Sequence, residues 1–213
     1  MSTYDNIQQK LLGLAFILAP LLLASGAVAF AMGIGTTPSG NSSWVMGLFW
    51  GYGFLLMIPV VIKLARMLGQ RAPLLGMICL ILGMGYGMST IMAAGNNLLP
   101  SLISLGYNES VMALYESSPG MMALTIPSPL SVVGMVLFGI GFFLKGGIPR
   151  WAAVCLTVGA VLFLIGVTIN PERDVWQATL PGFIAFFAAL APIGFRLLGG
   201  IEEVDDALNV ATA

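Results

Sequence analysis

Few residues in this chain are able to do chemistry, and their spacing decides what each can do. Cys79 and Cys155 are the only thiols, each six residues beyond a proline, Pro73 and Pro149, that opens an apolar run. On helices both sulfurs would sit roughly 9 Å from the start, at a common depth. A bond between them needs adjacent helices and an oxidising setting; reduced, they pack as small apolar residues. Two ligands do not complete a metal site. Histidine is absent, which removes the commonest ligand for zinc, copper and haem and the commonest general base. Thirteen methionines occur without a Met-x-x-Met cluster or accompanying His, so they read as gap fillers rather than soft-metal ligands. Ser89 and Thr90 are nucleophiles by type, but no base lies near them in sequence. No catalytic residue, cofactor or metal is expected.

Uncharged polar groups gather at the ends of apolar runs. Asn96 and Asn97 close the third run, Asn170 closes the fifth, and Gln177 and Thr179 open the sixth. If those helices adjoin, these side chains line an outer vestibule that could hydrogen-bond a neutral or zwitterionic solute, with Glu109 or Glu116 closing over it. The plainer reading is capping and interfacial hydration. Glycines recur at helical intervals: Gly26 and Gly33, Gly76 and Gly83, and Gly159 and Gly166 are seven apart, while Gly47 and Gly51, and Gly83 and Gly87, are four apart. In lipid such small residues let helix backbones approach and increase dispersion contact, either within one chain or against another.

The elements that must position these residues are six stretches of about twenty mostly apolar residues, near 11–34, 44–67, 73–97, 129–146, 149–169 and 176–198. Hydrophobic residues make up 58% of the chain and charged residues 8%, far below the roughly 25% usual in soluble domains. A hydrocarbon core of about 30 Å needs roughly 20 helical residues to cross, and lipid offers no partner for open backbone groups, so each run should be a complete helix. Seven of the eight Lys and Arg (Lys10, Lys63, Arg66, Arg71, Lys145, Arg150 and Arg196) fall on alternate connections, and only Arg173 lies on the other side. The cationic bias predicts a six-helix bundle with both termini cytoplasmic. Trp44, Trp151 and Trp176 begin spans at membrane edges, whereas Trp50 lies deeper and requires a packing explanation. Lys10 before an apolar run that ends near Ala27-Val28-Ala29 also has the outline of a signal peptide; an uncleaved first helix is the expectation.

No Asp or Glu falls inside a span, which disfavours a proton-driven pump, because charge exchange within the membrane usually needs an embedded carboxylate. A net charge of −1 with dispersed cations gives no basic surface for nucleic acid. The chain therefore divides into a polar head at 1–10, a membrane domain at 11–198 that includes an outer loop at 98–128, and an acidic tail at 199–213. Tyr107 to Ser117 has the spacing of a short interfacial helix, and Ile201, Val204 and Leu208 share one stripe of the tail. Pro20, Pro59, Pro181 and Pro192 lie within spans and each removes a helical hydrogen bond. Pro73, Cys79, Leu80 and Gly83 share their offsets with Pro149, Cys155, Leu156 and Gly159, so spans two-three and four-five read as candidate copies of one hairpin.

Lys145, Gly146, Gly147, Pro149, Arg150 and Trp151 form a basic residue, a glycine turn and a Pro-Arg-Trp opening. With the flanking stretch from Val133 to Val167, this turn resembles a loose group of small uncharacterised bacterial multi-pass membrane proteins of the domain-of-unknown-function kind. The resemblance implies a bacterial inner membrane and no particular activity. The leading expectation is a non-enzymatic membrane scaffold or accessory subunit that packs against itself or a larger complex in the bilayer. A small transporter or channel with the outer polar vestibule is the alternative.

Overall fold

The computed structural model describes residues 3–38, 43–108, 110, 114, 117–120, 123, 127–168 and 178–200. Among them the secondary structure is helical, with a single isolated β-bridge between Thr36 and Ser43. Seven helices follow in order: α1 Thr3–Ala31, α2 Trp44–Gly69, α3 Pro73–Gly83, α4 Gly85–Ser104, α5 Pro127–Lys145, α6 Arg150–Thr168 and α7 Leu180–Leu198. Among the described residues, five apolar segments are long enough to cross a membrane: Tyr4–Ala31, Trp44–Gly69, Pro73–Ile103, Ser128–Lys145 and Leu180–Leu198. The apolar part of α6, Arg150–Gly166, is shorter.

Helix ends follow local chemistry. Ser43 caps α2 by accepting from the Met46 amide at 3.2 Å while its hydroxyl donates to the Ile34 carbonyl at 2.7 Å, which ties the turn after α1 to the start of α2. Pro73 occupies the first turn of α3, where its missing N–H costs nothing. Arg66, Lys145 and Arg196 lie in the last turns of α2, α5 and α7, facing the negative ends of those helix dipoles. The α5–α6 turn passes through Gly146 and Gly147 at φ +75° and +108°, a region that excludes side-chain-bearing residues at low cost. Arg71 reaches across from the α2–α3 turn, its Nη1 donating to the Lys145 carbonyl at 3.2 Å.

The helices close into a ring. α1 packs on α2 and α7, α6 on α5 and α7, and the α3–α4 pair sits between α2 and α5. Neighbours run antiparallel, because Gly13 near the start of α1 meets Gly194 near the end of α7, Gly76 in α3 meets Gly69 and Ala65 in α2, and Gly166 at the end of α6 meets Thr179. Lys10, Arg66, Arg71, Lys145, Arg150 and Arg196 thus share one end of the bundle. Arg173 lies outside the described residues.

Three sequence expectations change. The polar head is not separate: α1 begins at Thr3, and Gln9 is buried in the bundle. Pro181 sits in the first turn of α7 rather than kinking it, whereas the third span breaks at Gly83-Met84-Gly85 with no proline present. The Met84 amide bonds back to the Leu80 carbonyl at 3.0 Å, and the Met84 carbonyl accepts from Gly87 in a tighter three-residue turn. Finally, the matched positions of the two hairpins are not used alike. Gly83 packs on Val61 of its own hairpin, while Gly159 packs outward on Gly182 of α7. Cys79 and Cys155 are both free thiols, and α5 separates the helices that carry them.

Candidate functional site

The interior of the ring is filled by aromatic side chains. Trp50 projects inward from α2, and its indole meets Phe54, Phe163 and Phe183 edge-on at 5.9, 6.0 and 5.8 Å between ring centres. Tyr86 stacks on Phe54 at 5.7 Å, and Phe183 leads on to Phe186. The indole N–H donates to the Leu23 carbonyl at 3.0 Å, which satisfies a group that would otherwise be costly in an apolar interior. Gly26 makes the room: a Cβ there would lie 2.5 Å from Trp50 Cδ1 and 2.9 Å from its Nε1. This is the packing explanation that the depth of Trp50 required.

Beside this core, the break in the third span adjoins a chain of hydroxyls. Tyr86 is hydrogen-bonded to Ser131, Ser131 donates to the Ser128 carbonyl at 2.6 Å, and the Ser128 and Ser89 hydroxyls are 2.7 Å apart. Ser89 also lies 3.3 Å from the Gly85 carbonyl, and the Thr90 hydroxyl donates to the Tyr86 carbonyl at 3.0 Å. Tyr86, Ser89 and Ser131 are buried. Sequence spacing pointed to Ser89 and Thr90 but not to Ser128 or Ser131, because these partners come from α5, some forty residues away in the chain, nor to Tyr86 of α4, whose partner Ser131 is on α5. The group contains no carboxylate, imidazole or amine, so it has nothing to activate a nucleophile; it joins α4 to α5 by neutral hydrogen bonds. Among the described residues there is no cluster of three or more His, Cys, Asp or Glu that could hold a metal.

The outer polar residues are only partly brought together. The Asn97 amide nitrogen donates to the Trp44 carbonyl at 2.8 Å and so clips α4, two turns before its end, to the first residue of α2. Asn96 is on the same helical turn. Asn170, Gln177, Glu109 and Glu116 lie outside the described residues, as do the tail from 201 and most of the interfacial helix expected at 107–117.

The glycines separate into two populations. Around Gly26, Gly76, Gly83, Gly159 and Gly166, a Cβ would meet Trp50, the Gly69 backbone, Val61, the Gly182 carbonyl at 2.8 Å and the Thr179 hydroxyl respectively. Gly33 lies beyond α1 in the turn, at φ +70°, and so belongs to no helix face. Gly13, Gly182 and Gly194 make close backbone approaches that the four- and seven-residue spacings did not flag, since their partners lie on other helices. Gly51, Gly69 and Gly87 behave differently. Among the described residues, a Cβ on Gly51 would touch only Ala93 at 3.9 Å, and one on Gly69 or Gly87 would touch nothing within 4 Å.

Gly51 and Gly69 border grooves between helices. One, of about 250 Å³, lies between α2 and α4 and is lined by Gly47, Leu48, Gly51, Tyr52, Leu55, Thr90, Ala94 and Asn97. Gly87, seven residues before Ala94, shares that face of α4. A second, of about 390 Å³, lies between α2 and α3. In comparisons with known proteins, no family model, curated protein or solved structure matches the chain.

Proposed function

We propose that this chain is a non-enzymatic polytopic membrane subunit, and that the groove between α2 and α4 receives a transmembrane helix from a second copy or a larger membrane complex. The observation that carries this reading is the open floor at Gly51 and Gly87, in a bundle where Gly26, Gly76, Gly83, Gly159 and Gly166 are already filled by the chain's own atoms. In lipid, small residues with apolar walls are what a second helix needs to approach closely. Leu48, Tyr52 and Leu55 supply exposed walls, and Thr90 and Asn97 supply polar groups for interhelical hydrogen bonds. The six-crossing arrangement belongs to the same reading: α6, with 19 residues, reaches about 28 Å, and the shared cationic end faces the cytoplasm. The proposed setting is a bacterial inner membrane.

The test is crosslinking in native membranes from Tyr52→Cys in a chain carrying Cys79→Ala and Cys155→Ala. An adduct of doubled mass marks a second copy, and any other defined mass marks a different subunit. Gly51→Leu should abolish the adduct while leaving the monomer folded. Recovery of unmodified monomer alone would refute the proposal.

The break in the third span supports a second reading, a small transporter, because discontinuous helices with nearby polar groups recur at solute sites. Solute flux in liposomes that Asn97→Leu abolishes would favour it. The filled aromatic interior weighs against it, since the level of Trp50, Phe163 and Phe183 is occupied by side chains.

A further inference from the structure

We infer that the groove between α2 and α3 is a binding site for one anionic phospholipid of the leaflet at the cationic end, with an acyl chain in the groove and the phosphate on Arg66. The groove is lined on one side by Ile58, Val61, Ile62, Ala65, Arg66 and Gly69, and on the other by Gly76, Met77, Leu80, Gly83 and Met84. Its floor is formed where α3 approaches α2 at glycine distance: a Cβ on Gly76 would lie 2.6 Å from Gly69 Cα and 2.8 Å from the Ala65 carbonyl. Ile62, Met77 and Met84 are exposed and form its rims.

Two features choose the occupant. The first is length. From Gly69 to Ile58 the groove follows α2 for eleven residue steps, about 16 Å, which matches the roughly 15 Å depth of one hydrocarbon leaflet. It ends at Met84, where the third span breaks, so it runs from the headgroup edge to mid-membrane. A single acyl chain occupies one leaflet and so fits this length. The second is charge. Arg66 is the only charged residue in the lining, its side chain is exposed, and it has no hydrogen-bond or ion-pair partner among the described residues. A guanidinium at the mouth of an apolar slot is complementary to a phosphate and binds it through paired N–H donors. This site is separate from the helix-receiving groove between α2 and α4.

The full chain, reconstituted into phosphatidylcholine vesicles, tests the site with photoactivatable phospholipids that carry the reactive group on the acyl chain. With a phosphatidylglycerol probe, adducts should map to Met77, Leu80 and Met84. A phosphatidylcholine probe should label these positions about fivefold less, the effect expected for one charge near a headgroup. Arg66→Gln should erase that preference. Gly69→Leu, whose Cβ would meet no described atom within 4 Å and whose position lines the groove, should remove both adducts while the circular dichroism spectrum stays unchanged. Equal labelling by the two probes in the unmodified chain, a preference that survives Arg66→Gln, or protein–protein crosslinks from Met77→Cys in place of lipid adducts would each overturn the inference. The Tyr52→Cys experiment reports on the other groove and fails or succeeds independently.

Discussion

Replacing Gly26 by alanine tests whether the aromatic interior is a fitted structure or merely an apolar filling. A methyl group at that position would lie 2.5 Å from Trp50 Cδ1, 2.9 Å from Nε1 and 3.1 Å from Phe49 Cβ, so the indole has to move. Moving it gives up the bond to the Leu23 carbonyl at 3.0 Å, worth about 0.6 and at most about 1.7 kcal/mol in a membrane protein. It also disturbs the edge contacts to Phe54, Phe163 and Phe183, worth about 0.5–1.5 kcal/mol each. Loss of the hydrogen bond and two ring contacts amounts to about 2–4 kcal/mol. Alanine is the better helix former by about 1 kcal/mol, which leaves a net destabilisation of about 1–3 kcal/mol, roughly 5- to 150-fold in the unfolding equilibrium. Unfolding in mixed micelles with increasing dodecyl sulfate measures it, followed by far-ultraviolet circular dichroism. Gly87→Ala is the matched control: nothing lies within 4 Å of its Cβ, so only the propensity gain remains and the sign should reverse. Trp50→Ala should abolish most of the Gly26→Ala cost, because the two residues share one contact. A Gly26→Ala effect within 0.5 kcal/mol of Gly87→Ala, or one that adds fully to Trp50→Ala, refutes the argument.

Gly147→Ala should destabilise the chain by about 1–2 kcal/mol, because its φ of +108° lies where an alanine is strained; hydrogen exchange at residues 146–148 should rise with it, and unchanged exchange would contradict the strain argument. Ser89→Ala and Ser128→Ala should be coupled by about 0.6 kcal/mol in a double-mutant cycle of detergent unfolding, the size of a hydroxyl pair within a membrane, and zero coupling would show that the 2.7 Å contact contributes nothing. In a cysteine-free background, thiols introduced at the exposed Tyr4 and Tyr107 should react with an impermeant maleimide from opposite sides of the membrane. Reaction from one side alone would remove the proposed topology.

The hydropathy pattern made the helices legible because, in lipid, a backbone with open hydrogen bonds has no solvent to turn to. Five of the expected runs reappear as long apolar helices with boundaries shifted by a few residues. The break at Gly83-Met84-Gly85 was hidden for the same reason: it lies in an uninterrupted apolar run, and a three-residue turn leaves no polar mark. Prolines, which looked like the kink sites, either sit inside continuous helices, as Pro20, Pro59 and Pro192 do, or start one, as Pro181 does. The candidate site was less legible, because spacing along one helix cannot say which neighbour a residue will face. Ser89 was visible as a hydroxyl, but its partner Ser128 comes from another helix; Trp50 was visibly misplaced for an interfacial anchor, but the notch at Gly26 that holds it became apparent only when α1 and α2 were set together.

The glycines show most clearly where pattern ends and packing begins. Gly76 and Gly87 are the same residue type on the same apolar span, and nothing in their local sequence separates them. The physical difference is that α2 lies against the first, while a Cβ on the second, in α4, would have no neighbour within 4 Å among the described residues. Glycine in a helix costs about 1 kcal/mol relative to alanine whether or not its notch is used, so a filled notch offsets that cost inside the chain and an open one does not. Gly51, Gly69 and Gly87 carry the cost with no internal return. The return has to come from whatever occupies the grooves: a helix over Gly51 and Gly87, and an acyl chain beside Gly69. Gly87→Ala and Gly69→Ala should then stabilise the isolated chain in detergent, yet Gly87→Ala alone should weaken assembly in the membrane. If Gly87→Ala improved both, the open notch would be a mere cost to stability, and the case for a partner helix would fall with it.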